Sequence, residues 1–291
     1  SKRLGDIAEN LIETISILFE LDGLYARAEF SYAYKCSEPK VNNRGYINIV
    51  KGRHPLVGRD ECVPVSIELG GNYAYLLLSG ANTGGKTVTM KMTGLLCLMA
   101  SCGLFIPAAE GSSVAVFKNV YCDIGDSQSI EASLSTFSSH LTNVIQICNN
   151  AGKDSLILID ELGGGTDPDE GQAIARAVVE FLVNSGSKGI VTTHFTSLKE
   201  FAYSVGGIEN ACMEFDTDTL KPLYQIKIGL PGASNALSIA KRLGMNGDIL
   251  SKAESYLSDG ARSFENVVQK AEESRIEAEK RLSEISLIKS E

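Results

Sequence analysis

Short β-rich runs alternating with longer helical stretches predict an α/β fold with a central, mostly parallel sheet, preceded by a helical segment and followed by one charged helix. Two observations carry this reading. Leu156–Ile159 is apolar at every position, not at every second one, which suits a central strand covered on both faces. The stretch GANTGGKT, residues 80–87, follows the apolar run Tyr73–Ser79 and precedes a helical pattern, the strand–loop–helix order of a phosphate-binding loop.

The elements follow in chain order. Leu4, Ile7, Leu11, Ile15, Leu18 and Leu21 recur at helical spacing, and Leu24 to Tyr34 continue in register until Glu38-Pro39, where proline stops a helix. The apolar face of this 1–44 segment has no visible amino-terminal partner. It is therefore expected to be the end of a longer helical region in an excised fragment. Over 45–247, strands are expected at Tyr46–Val50, Tyr73–Ser79, Ser113–Phe117, Leu156–Ile159, Gly189–Thr193 and Leu223–Ile228. In 248–291, Ala261, Phe264, Val268, Ala271, Ala278, Leu282 and Ile285 fall on a heptad seam whose one charged occupant is Arg275. That pattern points to a coiled-coil arm or a helix pair, against the alternative of a solvated single helix.

Bulk properties narrow the class. The 291 residues carry 27 basic against 36 acidic side chains, a net charge of −9. Such a surface is unsuited to wrapping nucleic acid over its whole extent, since neutralising phosphates takes clustered Lys and Arg. Seven cysteines without a CxxC pair read as reduced thiols in a cytoplasmic protein, not as a disulfide frame or a zinc site. The first residues lack the apolar core of a signal peptide, and no window reaches the roughly 20 apolar residues of a membrane span.

The chemistry of residues 80–87 follows from residue type. Gly80, Gly84 and Gly85 let the backbone curl and turn successive N–H groups inward as an anion nest, and the following helix adds its positive end. Lys86 is placed to reach the β- and γ-phosphates of a nucleotide, Thr87 to put its hydroxyl on Mg²⁺, and Asn82 to bond a phosphate oxygen. Met92, Leu95, Leu96 and Met99 form the apolar stripe of that helix, and Gly103 ends it. The competing reading, a glycine-rich turn that binds nothing, does not account for strand, Lys-Thr and helix together.

SLILIDE ends a buried strand with Asp160 and Glu161 at its carboxyl edge, where ligands sit in open α/β sheets. Asp160 suits Mg²⁺, and Glu161 suits the general base that polarises an attacking water. In LGGGTDPDEG, Asp167, Pro168 and Glu170 form a capping box, so Asp167 has a structural reading beside any functional one. His194 ends the strand KGIVTTHF on the same edge and is read as a γ-phosphate sensor. A Ser-His-Asp hydrolase would require a G-x-S-x-G elbow that the sequence lacks. Ser135, Thr136 and Phe137 in SIEASLSTFSSHLTN lead into a helix, and His140 is expected to be solvated.

In this order, GANTGGKTVTMK, LSTFSSHLTN, ILIDELGGGTDPDEG and TTHF resemble the ATPase domain of MutS-type proteins, and among these the bacterial type-two paralogue rather than the mismatch-recognising branch. KGRHPLV (51–57) and GLPGASNALSIAKRLGM (229–245) resemble the family's segment before the ATPase core and its helical dimerisation signature. The similarity covers roughly 44–250. It implies a P-loop NTPase of ABC-like type that forms a head-to-tail homodimer with ATP and Mg²⁺ between the subunits. It also implies that Ala81 and Thr83 belong to the nucleotide loop, that Ser135 reaches the partner's γ-phosphate, that Asp167 lies at the dimer interface, and that His54 and Pro55 approach the adenine. Ala81 stands where the family usually has proline, which removes a rigid φ but no ligand group. Branched or duplex DNA, or stalled ribosomes, are the implied partners, contacted mostly outside this stretch, with no membrane partner and no nuclease module here. Two other readings stay open. One is a different ABC-class ATPase, although its LSGG-type signature is missing. The other is a nucleotide-gated scaffold that does not hydrolyse.

Overall fold

The computed structural model describes residues 8–58, 61–80, 84–125, 133–216, 219, 221–232 and 236–256, together with eight helical positions between 267 and 281. The helices bounded by described residues run in chain order: α1 (Ala8–Ala33), α2 (Lys86–Ser101), α3 (Ser133–Asn150), α4 (Pro168–Asn184), α5 (Thr196–Ser204), α6 (Ala236–Arg242) and α7 (Gly247–Tyr256). The strands are β1 (Lys40–Asn42), β2 (Ile47–Gly52), β3 (Val65–Leu69), β4 (Tyr75–Ser79), β5 (Ser113–Ala115), β6 (Asn119–Asp123), β7 (Ser155–Ile159), β8 (Lys188–Thr192), β9 (Ile208–Asp216) and β10 (Lys221–Ile228).

They form a four-stranded sheet, β1-β5-β2-β3, and a six-stranded sheet, β10-β9-β4-β8-β7-β6. In the larger sheet β9, β4, β8, β7 and β6 are parallel, and only the edge strand β10 is antiparallel. β4 and β7 are buried at all five positions, which matches their unbroken apolar sequence.

Alternate side chains of each strand leave on opposite faces, so one sheet feeds two cores. Leu76, Leu78, Leu158 and Ile190 pack with Met90, Met92 and Leu96 of α2 and with the small sheet's Ile47, Ile49 and Ile67. Leu77, Ile157, Ile159 and Val191 pack on the other face with Val144 and Ile147 of α3, Val179 and Leu182 of α4, and Leu198 and Phe201 of α5. Helix α2 ends where the sequence places a stop. Gly103 takes a φ of 73°, its N–H bonds Ala100 O at 3.0 Å, and Leu104 N–H bonds Met99 O at 3.0 Å, the two bonds of a Schellman motif.

Two regions outside the sheets bear on the sequence reading. Helix α1 buries none of its residues, and Ile12, Phe19 and Tyr25 are more than two-thirds exposed. Among the described terminal positions Val268 is buried, and Arg275 Nη2 donates to Glu214 Oε1 of β9 at 3.1 Å. The seam position occupied by a charge therefore has its counter-ion on this chain's own sheet. Half of the heptad seam, Ala261, Phe264, Leu282 and Ile285, lies outside the described residues.

Candidate active site

Three neighbouring parallel strands end at one edge. β8 lies between β4 and β7, with Leu78 beside Thr192 and Ile159 beside Val191 in register. The sequence beyond β4 is the loop at 80–85, that beyond β7 is Asp160-Glu161, and that beyond β8 is Thr193-His194. Topology alone thus gathers the candidate residues in one place.

Gly80 follows the last residue of β4, and Ala81, Asn82 and Thr83 lie outside the described residues. Gly84 packs against Met213. Gly85 precedes α2 with a φ of 89°, and a Cβ there would sit 3.1 Å from the ring of Tyr224. Glycine is required twice over, by the left-handed backbone and by the close approach. Lys86 is 2% exposed, and its ammonium donates to Gly80 O at 2.5 Å, folding across the loop. Burial pushes the Lys86 pKa down, while the carboxylates of Asp160 and Glu161 pull it up and Lys199 adds to the lowering.

One hydrogen-bonded chain joins loop to acids. The Thr87 hydroxyl donates to Asp160 Oδ2 at 2.6 Å. The other Asp160 oxygen accepts from the Thr192 hydroxyl, whose own oxygen accepts from the Glu161 N–H at 2.8 Å. Asp160 is 8% exposed, and its N–H bonds Asp123 O at 2.9 Å. Glu161 adopts a φ of 50°, an outlying conformation for a residue with a side chain. Such strain persists where surrounding bonds enforce it, and Thr192 supplies that restraint. The Glu161 side chain, 41% exposed, reaches His194 Nε2 at 3.6 Å. Burial and the Lys86 ammonium hold the His194 imidazole below its ordinary pKa, against the upward pull of Glu161.

Glu161 opens the glycine loop 163–165. Gly163 and Gly171 face each other backbone to backbone, so a side chain at either would strike the other's carbonyl. Asp167 caps α4, its Oδ1 accepting from Asp169 N at 3.0 Å and Glu170 N at 3.3 Å. The backbone of Ser135 lies in the first turn of α3, and its side chain lies outside the described residues. His54 and Pro55 follow β2. The Leu56 N–H bonds His54 Nδ1 at 3.2 Å, and burial followed by the Lys91 ammonium lowers the His54 pKa. Lys91 is on α2, so His54 lies within reach of that helix's charge, whereas the ring against Gly85 belongs to Tyr224.

Several site residues take no role from the sequence reading. Thr192, although it opens TTHF, and Tyr224 are recruited by strand order. Lys199, 5% exposed, donates to Gly232 O at 2.8 Å, and Gly232 N–H donates to Ser79 Oγ at 2.7 Å. The 229–232 segment is therefore bonded to the strand that enters the phosphate loop. His140 corrects the expectation of a solvated ring. Its Nδ1 donates to the buried Asp123 carboxylate at 2.9 Å, because α3 lies against the end of β6. A cavity of about 260 Å³ opens here, bordered by Asp123, Phe137, His140, Asp160, Glu161 and Gly163.

The hard oxygens of Thr87 and Asp160, paired beside a buried lysine, fit a divalent cation such as Mg²⁺. The family profile described as MutS domain V matches residues 76–259. The chain is similar to Endonuclease MutS2 of Geobacillus sp. (strain WCH70), 48% identical over 276 residues, covering 95% of this chain and 35% of the relative. It is also similar to Endonuclease MutS2 of Caldanaerobacter subterraneus subsp. tengcongensis, 47% identical over 275 residues, covering 94% and 35%. Endonuclease MutS2 of Clostridium botulinum (strain Langeland) is 48% identical over 264 residues, covering 91% and 34%. The chain thus spans about a third of the length of these relatives. With the profile matching well over half of the chain, from the second residue of β4 past α7, the chain belongs to the MutS domain V family.

Proposed function

We propose that this domain binds ATP with Mg²⁺ and hydrolyses it, with turnover completed by a second copy facing the site. The observation that carries the reading is the chain Thr87–Asp160–Thr192–Glu161, which ties a phosphate-loop hydroxyl to a strained acidic residue through three hydrogen bonds. Lys86 and the loop amides of 80–87 bind the β- and γ-phosphates. Mg²⁺, held by Thr87 with Asp160 behind it, supplies charge neutralisation at the phosphates when bound. Glu161 takes the proton of the attacking water. His194, whose pKa burial and the Lys86 ammonium lower, meets the γ-phosphate as an N–H donor. The ring of Tyr224 limits the space over Gly85.

The partner copy supplies Ser135 from the first turn of α3 and meets the surface around Asp167. Hydrolysis then depends on association, and nucleotide binding closes the pair. Within a longer protein this motor acts on branched or duplex DNA, or on stalled ribosomes. The name Endonuclease MutS2 attaches nuclease activity to relatives of which this chain matches about a third, and no nuclease role is proposed for these residues. On this reading residues 1–44 end a helical lever, 45–247 form the ATPase unit, and 248–291 start an arm.

Phosphate release at rising protein concentration tests the reading. Specific activity that climbs with concentration supports a shared site. Nucleotide binding without turnover at any concentration would replace it with a nucleotide-gated scaffold.

A further inference from the structure

Asp123 ends β6 with a carboxylate that is 4% exposed. A carboxylate so placed is costly unless its oxygens are paired. Here both are taken by α3: His140 Nδ1 donates to Oδ2 at 2.9 Å and Asn143 Nδ2 donates to Oδ1 at 3.1 Å. Residues 140 and 143 are one helical turn apart and share a face, so the two bonds fix both the height and the rotation of α3. The main chain of the same Asp123 accepts the Asp160 N–H at 2.9 Å. One residue thus grips α3 with its side chain and the acid pair with its backbone. Three residues before His140, Phe137 lies over the glycine loop, where a Cβ at Gly165 would meet Phe137 Cβ at 3.7 Å. The first turn of α3, which carries Ser135, is in this way referenced to Asp160 and Glu161.

We propose that Asp123, His140 and Asn143 are positioning residues that hold the first turn of α3 in register with Asp160 and Glu161, so that a protomer presents its own acids and the hydroxyl-bearing turn it lends to its partner as one rigid piece. The proposal rests on the hydrolase reading above. It concerns turnover and not nucleotide affinity, because Lys86 and the loop sit on β4 and α2, away from α3.

The test uses His140→Ala and His140→Asn in the whole chain. Asparagine places an amide N–H at the position of Nδ1, so it keeps the bond to Asp123 while discarding the ring. Misplacing a reacting group by about 1 Å costs on the order of 100-fold, so kcat of His140→Ala is expected to fall at least about tenfold, and that of His140→Asn to recover most of the loss. The dissociation constant for a fluorescent ATP analogue should stay within about twofold in both variants. Amide exchange over residues 133–140, measured without nucleotide, should quicken in His140→Ala and return to the wild-type rate in His140→Asn. Unchanged exchange in His140→Ala, or a kcat loss that asparagine fails to repair, would overturn the proposal. A wild-type chain that binds the analogue and releases no phosphate would overturn the hydrolase reading instead, and the exchange comparison would then judge the anchoring by itself.

Discussion

Thr192 shows how much one hydroxyl decides at this site. It is fully buried, donates to Asp160 and accepts from the Glu161 N–H, so it sets both the direction of the Asp160 carboxylate and the strained turn at Glu161. Valine has nearly the same shape but neither bond. Thr192→Val should leave the Glu161 N–H without its acceptor at a cost of about 1–3 kcal/mol, visible as a lower denaturation midpoint. Turnover should fall by about 10–100-fold, because Glu161 would be free to relax from its positive φ. Nucleotide affinity should change little, since Lys86 and Gly80 are untouched. Lys86→Ala should do the reverse, losing nucleotide affinity in an equilibrium titration, because it removes the buried cation of the loop.

At the scale of elements, α4 joins cap, loop and packing in a few residues. Asp167→Ala removes the acceptor for two helix N–H groups and should cost about 1 kcal/mol. Gly171→Ala forces a methyl against the Gly163 carbonyl and should cost about 1–3 kcal/mol, more than the cap, in chemical denaturation. Among the described strands, β2, β4, β5, β7, β8 and β10 are expected from their sequence. β4, β7 and β8 announce themselves because both faces are covered. β6 escaped notice because an edge strand is covered less, and its NVYCD mixes polar and apolar residues at half-exposed positions. β9 escaped because Glu209 and Asn210 interrupt its apolar pattern, although Asn210 is wholly buried and donates to Lys199 O. The candidate site divides the same way. Lys86, Thr87, Asp160, Glu161 and His194 sit in local patterns that carry their own chemistry. Asp123 and Tyr224 join them through strand order, and Thr192 and His140, although they lie within TTHF and LSTFSSHLTN, take their partners Asp160 and Asp123 only through strand order and helix placement.

Over the whole molecule, the seven cysteines form no disulfide, and burial separates them sharply. Burial raises Cys97 to about 12 and Cys36 to about 11 from an ordinary 9.0. It raises the Tyr75 phenol as well, opposed by a hydrogen bond with Ser187. Below pH 9 these thiols are protonated folded or unfolded, and they leave stability independent of pH. As pH rises from 9 toward 12 the unfolded chain ionises while the folded chain resists, so stability should fall across that window in denaturant titrations. An alkylating reagent should mark exposed Cys102 in the native chain well before buried Cys97 or Cys212, as peptide mapping would read. Among the described residues no helix is long and apolar enough to cross a membrane.

The central claim is that this edge of the sheet holds a triphosphate whose cleavage needs Glu161 and a facing protomer. Sedimentation of Glu161→Gln with and without Mg-ATP, followed alongside phosphate release, tests it most directly. The predicted result is a monomer that becomes a lasting dimer when nucleotide is added and releases almost no phosphate. A variant that stays monomeric in saturating Mg-ATP, or turns over as fast as the wild type, would contradict it.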